Sequence, residues 1–262
     1  MSGKDISVTG PDGKFGAYLA SPASGHGPGV IVIQEIFGVN DVVRQICDSH
    51  AARGRFALAP DLFWRLEPGV QLTDKTQEDW GRAFGLMQQF NVDSGVTDIQ
   101  ASISHLRKLP GVSGRVGTVG YCLGGQLAFL ASTRTDTDAS VGYYGVNLQN
   151  RLNEANKIKK PLMLHIAAKD SYFPPEAQKA VSEGLKGNSL VTIHVYPEME
   201  HGRGVLDFQI FGEFEKIVGL FRLQILKFHG LKAGLDGHRT YTWMEGPLRN
   251  INRCAGGDPA EG

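Results

Sequence analysis

The sequence predicts an α/β fold: a mostly parallel sheet with helices on both faces, in one domain spanning about residues 1–229. Three observations lead there. Short apolar runs alternate with helical stretches along most of the 262-residue chain. Several of those runs are continuous and β-branched, as in Gly29-Val-Ile-Val-Ile33, which suits strands buried on both faces. One strand passes through a glycine-flanked turn, Gly120–Gly125, directly into a helix.

In chain order, Val8 and Phe15–Leu19 flank Pro11-Asp12-Gly13 and read as an N-terminal hairpin. The Val30–Ile33 strand follows, then a helix from Asp41 to about Ala52 with Val42, Val43, Ile46 and Cys47 inward. Phe56–Ala59 is a strand closed by Pro60-Asp61. Residues 76–109 carry helical periodicity with a break expected near Val92–Gly95. Arg115–Val119 is a strand, Gly124–Ser132 begins a helix, and Val141–Tyr144 is a further strand. Pro161–Ile166 and Leu190–Val195 complete the sheet, with a helix over Pro174–Leu185 between them. From Phe211 to Phe228, apolar residues recur at helical spacing. Residues 230–262 are glycine-rich without periodicity and read as a poorly ordered tail.

Composition narrows the function. Hydrophobic residues make up 41% and charged residues 21%, which excludes disordered and fibrous classes. Lys+Arg and Asp+Glu are both 27, so the net charge offers no footprint for nucleic acid or an anionic membrane. A small-molecule partner is expected instead. No apolar run approaches the ~20 residues of a membrane span, and no signal-type h-region stands at the start, so the expected compartment is the cytoplasm. The three cysteines, Cys47, Cys122 and Cys254, are far apart and include no C-x2-C pair. Neither a disulfide framework nor a structural zinc is expected.

The chemistry concentrates on Gly120-Tyr121-Cys122-Leu123-Gly124-Gly125. It is a G-x-C-x-G form of the strand–turn–helix nucleophile elbow, where a strained turn presents the nucleophile and larger flanking residues would collide. The new helix aims N–H groups at Cys122, which is expected to favour a thiolate. The alternative is a buried, inert cysteine beside closely packed glycines. In this architecture the orienting acid and the histidine follow in loops after later strands. Asp170 and His201 occupy those places. His165 and His194 fall inside strands, and Asp61 precedes the nucleophile, so none of the three fits that order. The oxyanion hole would use the N–H of Leu123 and that of Ile36, in the turn Gln34–Gly38. Glu35, in the same turn, reads as a solvated loop residue, as a cap for the helix that begins near Asn40, or as a partner controlling Cys122 ionisation.

With Gln34-Glu35-Ile36-Phe37-Gly38, Gly120–Gly125, Val141–Gly145, Asp170 and Glu200-His201-Gly202 in this order, the chain resembles the dienelactone hydrolases from about residue 5 to about residue 203. The resemblance implies an α/β-hydrolase fold, a Cys122–Asp170–His201 triad, activation of the thiol by Glu35, and oxyanion donors at Ile36 and Leu123. It also implies hydrolysis of a lactone or small ester by a monomer without metal or organic cofactor. Phe84 and Tyr144 fall among the expected substrate contacts. The family clamps a substrate carboxylate with two arginines. This chain has Trp80 and Val205 at those positions, with Arg82 and Arg203 as the nearest arginines. A catalytically silent ligand- or protein-binding domain is the competing reading, and redox sensing through Cys122 a third.

Overall fold

The computed structural model describes residues 3–202. Eight strands form one sheet in the order β1-β2-β4-β3-β5-β6-β7-β8. The hairpin β1 (Lys4–Gly10) and β2 (Gly13–Ala20) is antiparallel, and β2 pairs antiparallel with β4 (Phe56–Pro60). Every other neighbour is parallel: β3 (Gly27–Ile33), β5 (Val112–Tyr121), β6 (Ser140–Tyr143), β7 (Leu162–Ala167) and β8 (Val191–Tyr196). The chain has the α/β-hydrolase fold.

The apolar run of β3 explains its central place. Val30, Ile31, Val32 and Ile33 are at most 1% exposed, each contributing roughly 1.5–3 kcal/mol by burial. Helices α1 (Asp41–Ala52), α2 (Gln77–Gln89), α3 (Val92–Arg107), α4 (Leu123–Arg134) and α5 (Pro175–Gly184) connect the strands. Asn40, Thr76 and Asn91 cap α1, α2 and α3 by accepting backbone N–H bonds. The cap at Asn91 puts the α2–α3 break at Phe90–Asn91, upstream of the Val92–Gly95 position expected from periodicity.

Two further differences concern element limits. Strand β5 runs from Val112 to Tyr121, longer than Arg115–Val119, because its last residues pair with β6 up to Tyr143. A 3-10 segment, Leu148–Lys157, follows β6 in a stretch to which the sequence reading assigned no element. Asp98, fully buried on α3, accepts from Trp64 Nε1 at 2.9 Å and Arg65 Nη1 at 2.6 Å, pinning the loop after β4. Among the described residues, no helix is long and apolar enough to cross a membrane. The expected helix at 211–228, the tail at 230–262 and Arg203 lie outside the described residues.

Candidate active site

The strand order reverses between β3 and β5, and open α/β sheets leave a crevice at the carboxyl ends of such strands. Register makes that crevice specific. Ile33 pairs with Gly120, so two residues further on Glu35 and Cys122 leave the sheet at the same level.

Cys122 sits at φ 54°, ψ −114°, a sparsely populated conformation for a non-glycine residue. Its surroundings require it. A Cβ on Gly120 would meet Gly124 O at 1.9 Å, and one on Gly124 would meet Ile33 O at 2.4 Å. The two glycines let β5, α4 and β3 approach until only a turn fits between them. Cys122 N donates to Tyr143 O at 3.1 Å, and Cys122 O accepts from Gly125 N at 2.9 Å.

Leu123 is the first residue of α4, so its N–H has no carbonyl partner within the helix. Ile36 follows Glu35 in the turn after β3 and lines the same cavity as Cys122. Gln34, fully buried, holds that turn: its Oε1 accepts from Leu62 N at 3.0 Å and its Nε2 donates to Glu35 O at 3.3 Å. The sequence reading did not single out Gln34; its polarity at the end of an apolar strand was the available signal.

Asp170 follows β7 and is 3% exposed. Its Oδ2 lies 2.7 Å from His201 Nδ1, while Oδ1 accepts from Tyr172 N at 2.8 Å. The His201 ring stands edge-on to Tyr144 at 5.0 Å and to Tyr172 at 4.8 Å. Cys122, Glu35 and His201 all line one cavity of about 280 Å³, with Phe84 also in its wall.

Tyr144, just beyond β6, has φ 37° and donates its hydroxyl to Glu35 Oε1 at 3.1 Å. Burial raises the Glu35 pKa, while the Tyr144 hydrogen bond and the His201 charge oppose the rise. Cys122 departs from expectation. Burial, then the Glu35 charge, push its thiol pKa well up, and the Leu123 N–H only partly counteracts them. The helix N-terminus does not win here, because desolvation penalises the thiolate more than a few N–H dipoles reward it.

The substrate-contact expectations divide. Phe84 reaches the cavity, tilted against Trp80 at 5.5 Å. Tyr144 is not among the residues lining the cavity; its hydroxyl donates to Glu35 and its ring meets His201 edge-on. Arg82 is not brought to the cavity: its guanidinium pairs with Glu67, and its side chain is 52% exposed. Periodicity could not tell which face of α2 it occupies. The cavity also includes Phe37, Asp74, Met87, Val146 and Tyr172, which the sequence reading did not assign to a site. Their signal was weak because the loop and helix faces supplying them close only in three dimensions. Among the described residues, no group of three or more His, Cys, Asp or Glu side chains is placed to hold a metal ion.

Comparison with known proteins adds to this geometry. The model of the dienelactone hydrolase family matches residues 15–204. A protein of Azospirillum brasilense, provisionally assigned as a carboxymethylenebutenolidase, is 50% identical over 202 residues, covering 75% of this chain and 86% of its own. The carboxymethylenebutenolidase of Pseudomonas putida is 38% identical over 202 residues, covering 77% of this chain and 86% of its own. Among solved structures, a provisionally assigned dienelactone hydrolase from Klebsiella pneumoniae superposes with a TM-score of 0.66 at 24% identity. It covers 88% of this chain and 100% of its own, and supports the fold alone.

Proposed function

The chain belongs to the dienelactone hydrolase family, a family of hydrolases, and from that premise we propose that it opens a lactone or cleaves a small carboxylic ester through an acyl-thioester on Cys122. The observation that carries the reading is the 2.7 Å contact of His201 Nδ1 with Asp170, on a ring that shares its cavity with Cys122. A buried carboxylate on Nδ1 holds the proton there and leaves Nε2 available as the base.

At rest Cys122 is a protonated thiol, kept so by burial and by the charge of Glu35. Substrate in the cavity displaces water, and the Cys122 thiol passes its proton to His201 Nε2, with the Glu35 charge favouring the imidazolium that forms. Sγ then bonds to the carbonyl carbon, and the carbonyl electron pair moves to oxygen. The N–H groups of Ile36 and Leu123 receive that oxyanion, each worth about 3 kcal/mol in the transition state. Collapse expels the alkoxide, which takes the proton from His201. Water, deprotonated by His201, attacks the thioester, and the Sγ–C bond breaks to release the acid and regenerate the thiol. Thiolate departs readily from the tetrahedral adduct, so esters and strained lactones suit this nucleophile better than amides.

Hydrolysis of p-nitrophenyl acetate and of dienelactone by the parent, Cys122→Ser and His201→Ala tests the reading. Both variants are expected to lose at least about a hundredfold in kcat/KM. Equal, negligible turnover in all three proteins overturns it.

A further inference from the structure

The cavity wall carries its own information about substrate charge. Phe37 meets Trp80 edge-on at 4.9 Å, Trp80 lies 5.5 Å from Phe84, and Phe84 lies 6.4 Å from Tyr172. These four rings form a continuous aromatic arc in the cavity wall, and Tyr172 at its end meets the His201 ring at 4.8 Å. Apart from His201, the charged side chains among the described lining residues are the carboxylates of Glu35 and Asp74. Glu35 lies inside, and Asp74 lines the cavity while itself exposed, which puts it at the opening. Among the described lining residues none is Lys or Arg, and Arg82 is turned away to Glu67.

Asp74 is held in that place by its main chain. Its carbonyl accepts from Trp80 Nε1 at 3.0 Å. The neighbouring Thr73 donates its hydroxyl to Asp79 at 2.7 Å, and Thr76 caps α2 through Asp79 N at 3.0 Å. The Asp74 carboxylate makes no hydrogen bond among the described residues, yet its charge reaches far enough to raise the pKa of Glu35. A carboxylate-bearing ligand entering here gives up hydration against aromatic side chains and passes Asp74. A neutral ring-bearing ligand meets none of these costs and buries 150–250 Å² of aromatic surface, to order of magnitude.

We propose that the cavity selects uncharged, aryl-bearing esters and lactones over carboxylate-bearing ones, and that Asp74 is the residue that sets this discrimination. That these ligands are substrates rests on the hydrolase reading; their order of binding does not. Binding is therefore the measurement. In Cys122→Ala, which cannot turn over, calorimetry compares methyl cinnamate with cinnamate at low ionic strength, with Cys122→Ser as a second background should the alanine variant unfold.

Methyl cinnamate is expected to bind at least about tenfold more tightly than cinnamate. Adding Asp74→Asn should tighten cinnamate about threefold and leave methyl cinnamate unchanged. Half-molar salt should erase most of that gain, since an exposed charge is screened over a few ångströms. Cinnamate binding as tightly as its methyl ester overturns the proposal, as does an equal effect of Asp74→Asn on both ligands, or binding of neither. Ester turnover by the parent is scored separately, so loss of the hydrolase reading and loss of this selectivity are distinguishable.

Discussion

The Tyr144 hydroxyl donates to Glu35 Oε1 at 3.1 Å, joining the end of β6 to the turn after β3 directly beside Cys122. That hydrogen bond favours the carboxylate, against burial, which favours the acid. Removing it in Tyr144→Phe raises the Glu35 pKa further, so the ionised form is lost at a higher pH. If ionised Glu35 assists Cys122, the acid limb of kcat/KM moves to higher pH and activity falls more at pH 6 than at pH 8. A limb that stays where it is in Tyr144→Phe removes Glu35 from the proton path.

Asp170→Asn preserves shape but reverses the preference at His201 Nδ1, because an amide can donate where the carboxylate only accepts. We expect kcat/KM to fall by about 10³–10⁴, with far-UV circular dichroism unchanged. A loss smaller than about tenfold would leave Asp170 as a packing residue.

The elbow is a steric device, and its cost can be measured. Gly120→Ala and Gly124→Ala place a Cβ at 1.9 Å and 2.4 Å from backbone oxygens. Each should destabilise by more than about 2 kcal/mol in denaturant unfolding. Gly81→Ala provides the contrast: it lies within α2 with open space around the new methyl, and should stabilise by about 0.5–1 kcal/mol. Equal effects at all three positions would refute the steric account.

Arg82→Ala should change kcat/KM by less than about twofold on any ester, since its exposed pair with Glu67 is worth only about 0–1 kcal/mol. A tenfold loss confined to carboxylate-bearing substrates would return Arg82 to the cavity.

His50 is buried at 1% exposure, and burial, followed by the charges of Arg55 and Arg53, lowers its pKa to about 3. Unfolded, it titrates near 6.5. Below that value the unfolded chain takes a proton that the folded chain refuses. Stability therefore drops as pH falls from about 6.5 to about 3, by roughly 1.4 kcal/mol per unit from this group. His50→Leu should flatten that slope in denaturant titrations at pH 7, 6 and 5; an unchanged slope would assign the loss to other groups.

Much of this molecule is local and could be read from residues in order. The β-branched run at Val30–Ile33 specifies a strand buried on both faces, and Gly120-Tyr121-Cys122-Leu123-Gly124 specifies an elbow because only glycine admits those backbone approaches. The order nucleophile, acid, histidine followed from placing Asp170 and His201 after strands, and the structure brings those two side chains to 2.7 Å. Periodicity failed where a cap decided the break, as at Asn91, and the short polar Leu148–Lys157 segment was not assigned although its apolar residues recur at helical spacing.

By itself, then, the sequence determined the fold class and the elbow, since each depends on backbone sterics and on residues near in the chain. Tertiary structure alone decided the state of Cys122 and the character of its cavity. Desolvation and the Glu35 charge push the thiol pKa up, although Glu35 and Cys122 are far apart in sequence and brought together through the pairing of Ile33 with Gly120. Likewise, Arg82 and Asp74 stand eight residues apart, and only the packing of α2 turns one toward Glu67 and leaves the other at the opening. Burial and facing are properties of the packed molecule, and both set the charges a ligand will meet.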